Sequence, residues 1–466
     1  MAGHSQIPML DDEPSRLNTA TFLIICAIPV IATVLYGAVD SITWALITLI
    51  TGILAALWAI DGWRSRMLGL NVGPLQVAIA ALIVLAFIQL LPLGPAVVDG
   101  ALSTVATHTL TLDPYGTRLF IRDLLIFLVF LSGCLTFIRT ERRLRKVAFL
   151  VVIFGSSMAF YGILQRIADP DAIYGLRVPF QANPFGPFVN QHHFAAFMEM
   201  VGGVTLGLLL GRSPREKKFL LGFALVVIVA ALILTSSRGG MLSFTATTLF
   251  AAALSFVYRR RYNEDDNEGV VSPKVPMLVG GLTVVLVVIG LVLFLGGDQS
   301  LTRGVGLGET GGDVSNGRLH FWSVAIRIFL DHPILGAGFD AFGVAFTRYD
   351  TWNGVFRVEQ AHNDYLQMLA DGGILALSCI AAFIFLVFKK GLRTIANAGP
   401  GFRREAAIGA LAGCLGIAVH SFFDFPLRTW SNTFFMLLLA AIATVSIKGE
   451  NETSSPKRRK RRSTEQ

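Results

Sequence analysis

Gly317-Arg-Leu-His-Phe-Trp322, Asp331-His-Pro-Ile-Leu-Gly-Ala-Gly338 and Ala361-His-Asn-Asp-Tyr-Leu-Gln367 all fall within residues 297–372, a polar, glycine-rich run between two long apolar segments. Outward from this run the chain changes character. Of its 466 residues 53% are hydrophobic and only 15% charged, and the mean hydropathy is +0.63. A soluble chain of this size carries roughly 25% charged residues. The deficit is spread over many apolar runs of about 20 residues, the length that crosses a bilayer as a helix. Lipid offers no partner for backbone polar groups, so each run is predicted to be helical and the fold class all-α.

Twelve spans are predicted: 20–39, 42–60, 74–93, 121–138, 147–165, 189–210, 219–235, 239–258, 277–296, 373–388, 406–424 and 431–447. Most of the 39 lysines and arginines fall in every second connector, at 139–146, 211–218, 259–276, 389–405 and 448–466. Basic residues mark the cytoplasmic side. Both termini are therefore expected in the cytoplasm, and 297–372 faces outward. The chain divides into a cytoplasmic tail (1–19), helices one to nine (20–296), the outer loop (297–372), helices ten to twelve (373–447) and a basic tail (448–466). Residues 1–19 hold Asp11, Asp12 and Glu13 and lack a basic leader, so the first helix is expected to stay as a span.

The net charge of +8 does not point to nucleic acid. Lys457-Arg-Arg-Lys-Arg-Arg462 reads as a cytoplasmic tail that fixes topology and touches anionic lipid. Cys26, Cys134, Cys379 and Cys414 all lie in apolar runs, as small buried residues. No phosphate-binding glycine loop, CxxC pair or HxxxH spacing occurs.

Within the outer loop a helix is predicted from near Asn316 to Asp331, capped by Asp313 or Ser315 and stopped by His332-Pro333. Trp322, Ala325, Ile326 and Phe329 would form its apolar face. A second helix is predicted from about His362 to Asp371, ending at Gly372-Gly373, with His362, Tyr365, Leu366 and Leu369 inward.

Chemistry-bearing residues concentrate on the outer side. Arg238, in Thr235-Ser-Ser-Arg-Gly-Gly240, sits in a hairpin whose hydroxyls and amides suit phosphate oxygens, although an arginine there also snorkels to headgroups. Arg318, four before Trp322, needs a counter-charge: a substrate phosphate, or a carboxylate such as Asp340. His362 is a candidate general base, because an unperturbed imidazole can take a hydroxyl proton near neutral pH, although a histidine at a helix start is also a common structural residue. Asp364 or Glu359 would orient it. Glu199 lies near the middle of its span, and an intramembrane carboxylate is a functional candidate. Asn190, His193, Asp424 and Arg428 map to the same outer side, and His420 lies near the outer end of its span.

These phrases, in this order, resemble the O-antigen ligase and polymerase family. Asn190-Gln-His-His-Phe-Ala195, Ser236-Ser-Arg-Gly239, Arg318-Leu-His-Phe-Trp322, His332-Pro-Ile-Leu-Gly-Ala-Gly338, His362-Asn-Asp-Tyr-Leu-Gln367 and Asp371-Gly-Gly373 carry the likeness, which covers roughly 120–440. The resemblance implies a polytopic, GT-C-like, metal-independent glycosyltransferase of the bacterial inner membrane, needing no cofactor. Such an enzyme moves a glycan from undecaprenyl diphosphate to an acceptor hydroxyl at the periplasmic face. It implies that Arg238 and Arg318 hold the diphosphate and that His362 activates the hydroxyl; Asn190, His193, Asp364, Asp424 and Glu199, read from their position and not from the resemblance, are the candidate supporting residues. The acceptor is a lipid A-core sugar for a ligase, or a second lipid-linked glycan for a polymerase. A transporter is the reading from another class. Against it stand the absence of an inverted repeat and the clustering of polar residues at one face, away from the midplane.

Overall fold

Eleven of the twelve expected spans are helices in the computed structural model, which describes residues 15–66, 72–94, 109–180, 182–212, 214–265, 317–352 and 358–447. The remaining span, the ninth (277–296), Asp313, Ser315, residues 266–276 and the basic tail lie outside the described residues. The helices are α1 (Arg16–Val34), α2 (Ser41–Ser65), α3 (Pro74–Gln89), α4 (Pro114–Phe137), α5 (Glu141–Ala168), α6 (Gln191–Leu209), α7 (Arg215–Leu234) and α8 (Arg238–Asp265). After the outer loop begin α9 (Arg318–Asp331), α10 (Phe342–Tyr349), α11 (Asp364–Asn397), α12 (Phe402–His420) and α13 (Trp430–Thr444), with a 3-10 turn at Pro426–Arg428. Seven of these, α1, α2, α4, α5, α7, α8 and α11, are long and apolar enough to cross a membrane, and α3 and α13 are shorter apolar helices. The chain is an all-helical, multi-pass membrane protein.

The centre of the bundle is the pair α6–α12. Every residue of α6 from His193 to Leu208 is buried. Glycines allow this. Gly203 and Gly207 on α6 face Gly413 and Gly409 on α12, and a Cβ on Gly203 would stand 2.6 Å from the Gly413 amide nitrogen. Small residues four apart let two helix backbones touch, which substitutes packing for the hydrophobic drive that lipid does not supply. At the end of this seam nearest the starts of α6, α8, α11 and α13, the glycine series gives way to polar side chains. The opposite end is closed by basic residues on backbone carbonyls: Arg403 donates to the Ile442 and Val445 oxygens, and Arg404 to the Ala398 oxygen.

Two expectations for the outer loop are corrected. α9 is capped by Gly317 in a left-handed conformation (φ 79). Its buried stripe is Val324, Ala325 and Ile328, while Ile326 is exposed. The expected stripe was out of phase, because α9 packs against both α10, through Phe342, Ala345 and Phe346, and α11, through Ala370 and Leu366. α11 starts at Asp364, not at His362: Asn363 caps it, accepting from the Tyr365 and Leu366 amides. Its buried face there is Gln367, Met368, Ala370 and Asp371. The helix does not end at Gly373 but bends there (φ 64, ψ −165) and continues to Asn397.

The bend explains the His332-Pro-Ile-Leu-Gly-Ala-Gly338 phrase. This segment crosses the bend at backbone contact, with Ala337 N donating to Ala370 O, Gly338 N to Asp371 O and Ile374 N to Pro333 O. A Cβ on Gly336 or Gly373 would overlap the opposing backbone, and both have positive φ; only glycine fits on both counts. Gln89 of α3 completes the crossing. Its side-chain nitrogen donates to Leu335 O and Asp371 O, and its oxygen accepts from Phe339 N.

Candidate active site

His362 immediately precedes the α11 cap, in the left-handed region at φ 51. Its Nδ1 donates to Asp424 Oδ1 at 3.0 Å. That bond fixes the tautomer with Nε2 as acceptor. The imidazole side chain is about one-third exposed (32%) and Asp424 is closed off at 2%. Phe321 of α9 lies nearly parallel to the imidazole at 6.0 Å, and Phe425 meets it edge-on at 4.7 Å. The ring is thus fixed by one carboxylate and two aromatic rings, and Nε2 has no partner among the described residues.

The expected orienters of His362 are corrected. Asp364 accepts from Ser421 Oγ at 2.9 Å, and Asp424 takes the role proposed for Asp364 or Glu359. Asp424 sits on the turn that follows α12. Burial alone would push its carboxyl up, but the hydrogen bond from His362 and the nearby His193 and His192 rings outweigh this and hold it well below the usual carboxylate range.

His192 is the residue through which the other candidates meet. Asn190 caps α6 by accepting from the His192 amide. The His192 ring is hydrogen-bonded through Nδ1 to Ser237 Oγ at 3.0 Å, next to Arg238, the first residue of α8. The charges of Asp424, Arg318, His420 and His362 all act on it. The adjacent His193 turns the other way, to Thr429 Oγ1 at 2.7 Å, with Phe425 against its ring. Adjacent histidines do not share a helix face, and each serves a different wall of the site.

Arg318 begins α9, and that first turn is held from the next residues. His320 Nε2 bonds to Asp350 Oδ1 at 2.7 Å while Trp352 stacks on the His320 ring at 4.1 Å. The Trp352 amide and His320 together keep the Asp350 carboxyl below its usual range. Asp340, the carboxylate considered as a partner for Arg318, belongs instead to Arg428, which also holds Asp371 at 2.9 Å. Burial would lower the Arg428 guanidinium, but Asp340, Asp371 and Asp364 raise it. Arg238 and Arg318 have no ion-pair partner among the described residues. Glu199 lies deeper, bonded to His420 Nδ1 at 2.7 Å with both side chains closed to solvent.

Sequence reading did not single out His192 and Ser237 as contact points, and it left the carboxylate beside His362 open between Asp364 and Glu359, whereas the bond is to Asp424. His192 does stand in the Asn190-Gln-His-His phrase, so the signal was present. The partner of His362 lies 62 residues away, and no local spacing reports it. The turns at Ser236 (φ 55), Asp340 (φ 61) and His362 (φ 51) all hold non-glycine residues in the left-handed region. Each such residue costs of order 1–3 kcal/mol, and such strain clusters at functional sites.

Residues 221–381 match a family model described as O-antigen ligase. The match takes in Arg238, Arg318 and His362 and ends before His420 and Asp424. Among curated proteins none matches the chain.

Proposed function

We propose that this chain, assigned to the O-antigen ligase and polymerase family by its match over residues 221–381, transfers a glycan from undecaprenyl diphosphate to an acceptor hydroxyl, with His362 as general base. The observation that carries the reading is the state of His362: Nδ1 committed to Asp424, the ring about one-third exposed, and, among the described residues, no partner for Nε2 or for the Arg238 and Arg318 guanidiniums at the same end of the bundle. In the reaction Nε2 takes the proton of the acceptor hydroxyl as its oxygen bonds to the anomeric carbon. The bond from that carbon to the diphosphate oxygen breaks, and undecaprenyl diphosphate leaves with the electron pair. The imidazolium so formed is stabilised by Asp424. Arg238 and Arg318 receive the charge that develops on the diphosphate, an arrangement that lowers the barrier because fixed donors need no reorganisation.

The periplasmic face is the proposed side. The site lies at the end of the bundle opposite Arg403 and Arg404, and basic residues collect on the cytoplasmic side. A lipid A-core sugar is the proposed acceptor, and a second lipid-linked glycan is the alternative.

The test is expression of wild type and His362→Ala at matched membrane levels in a host deleted for its own enzyme. The expected result is glycan stranded on undecaprenyl diphosphate in the variant, and the wild-type product, capped core or long polymer, identifies the acceptor. Equal glycan patterns from both proteins would refute the base role and favour a transporter.

A further inference from the structure

The Glu199–His420 pair has no part in the reaction proposed above, yet it stands where the elements of the site meet. Glu199 is on α6, two turns below His192. His420 is the last residue of α12. Their bond, His420 Nδ1 to Glu199 Oε1 at 2.7 Å, is buried to 1% and 0% exposure. It terminates the glycine seam: a Cβ on Gly416 would lie 3.5 Å from Glu199 Cβ, one contact beyond the Gly203–Gly413 crossing.

His420 faces two further elements. Its carbonyl accepts from the Phe423 amide at 2.8 Å and the Asp424 amide at 3.1 Å, so it holds the turn that presents Asp424 to His362. Its Nε2 points to the start of α8: a Cβ on Gly239 would lie 3.6 Å from that nitrogen and 3.1 Å from Phe423 Cβ. Gly239 follows Arg238 directly. One imidazole therefore links α6, the Asp424 turn and the helix start that carries Arg238.

A buried ionisable pair adds little net stability, because desolvation offsets the attraction and a well-packed apolar pair often does as well. Directional contact is what it supplies and an apolar pair cannot. We propose that Glu199 and His420 are positioning residues: they fix the end of α12 so that the Asp424 turn and the first turn of α8 keep their spacing. The kinetic part of this proposal rests on the glycan-transfer reading; the structural part does not.

Hydrogen–deuterium exchange on the full chain in nanodiscs of phosphatidylethanolamine and phosphatidylglycerol tests it. Glu199→Leu removes the acceptor, Glu199→Gln keeps one, and Gly239→Ala crowds the same junction from α8. In Glu199→Leu, exchange is expected to rise about tenfold in 236–242 and 421–428, the loss of one buried hydrogen bond, with the seam at 200–208 and 406–416 unchanged. Glu199→Gln should match wild type, and Gly239→Ala should loosen 421–428 alone. Protection unchanged in either segment of Glu199→Leu, a rise spread equally along the seam, or an unaltered 421–428 in Gly239→Ala would each overturn the proposal.

Transfer assays with purified lipid-linked glycan should then show kcat lowered about tenfold in Glu199→Leu and restored in Glu199→Gln. Full transfer by Glu199→Leu would overturn the positioning role while leaving the base role of His362 intact. If wild type transfers nothing but the exchange pattern holds, the transfer reading fails and the positioning role stands.

Discussion

Two histidine–carboxylate pairs each place one member, His420 or Asp424, on the same short stretch of chain. His362–Asp424 leaves the imidazole about one-third exposed, whereas His420–Glu199 is sealed. In both, Nδ1 meets the carboxylate. What differs is the surroundings of Nε2. In the first pair it stands free between two aromatic rings; in the second it faces the backbone of a packed helix start. In the reading proposed above, the same chemical couple would serve proton transfer where a reactant can reach it and geometry where none can. The arginines divide the same way. Arg428 is matched by Asp340 and Asp371, while Arg238 and Arg318 have no ion-pair partner among the described residues.

The sharpest way to break this comparison is at the open pair. His362→Ala should lower glycan transfer about 10²–10⁴-fold, the usual worth of a positioned general base, with membrane level unchanged; an active variant would make both pairs structural. Arg318→Ala should lower transfer at least about tenfold, because the lost contact is made to a charged group. Its thermal midpoint in detergent should stay at the wild-type value, since no carboxylate among the described residues loses a partner. Arg428→Met is the counterpart. It should destabilise the fold by about 3–5 kcal/mol, because Asp371 is left buried and unpaired, visible as a lowered thermal midpoint even where residual activity survives. A variant of Arg318 that unfolds, or of Arg428 that does not, would erase the distinction between matched and unmatched arginines.

The smallest effect concerns pH. Asp424 has a folded-state pKa below its ordinary value, so its contribution to stability is present above the ordinary carboxylate pKa of about 3.9 and fades as pH falls below it. The stability advantage of wild type over Asp424→Asn should therefore stay level from about pH 8 to pH 5 and shrink only below about pH 4. Paired melting curves across that range check it, and an advantage that fades already near pH 6 would assign it to another group.

The spans were legible because bilayer thickness imposes a length and lipid imposes a helix, and both constraints act locally on sequence. Arg238, Arg318 and His362 were legible as polar residues that a membrane protein does not tolerate without reason. Partner assignments were not. Asp424 reaches His362 only because α12 ends beside the α11 cap, and the Gly203–Gly413 and Gly207–Gly409 contacts that put α12 there are pairwise facts about two helices far apart in the chain. The phase of α9 was misread for a related reason: it packs on α10 and on the first turns of α11. The bend at Gly373 looked like a helix end because glycine marks both, and only the opposing backbone of Ile334–Gly338 distinguishes them.

The bend has a mechanical consequence. From Gly373 to Asp364 the helix is an arm about 14 Å long at 1.5 Å per residue, with His362 at its free end. A tilt of about 5° at the fulcrum would carry the imidazole by roughly 1 Å, and a displacement of that size costs on the order of 10² in rate. Gln89 clamps the arm at its pivot through Asp371 O, and Ser421 clamps it at the tip through Asp364. An amide on α3 thereby sets the tolerance to which the proposed base is aimed.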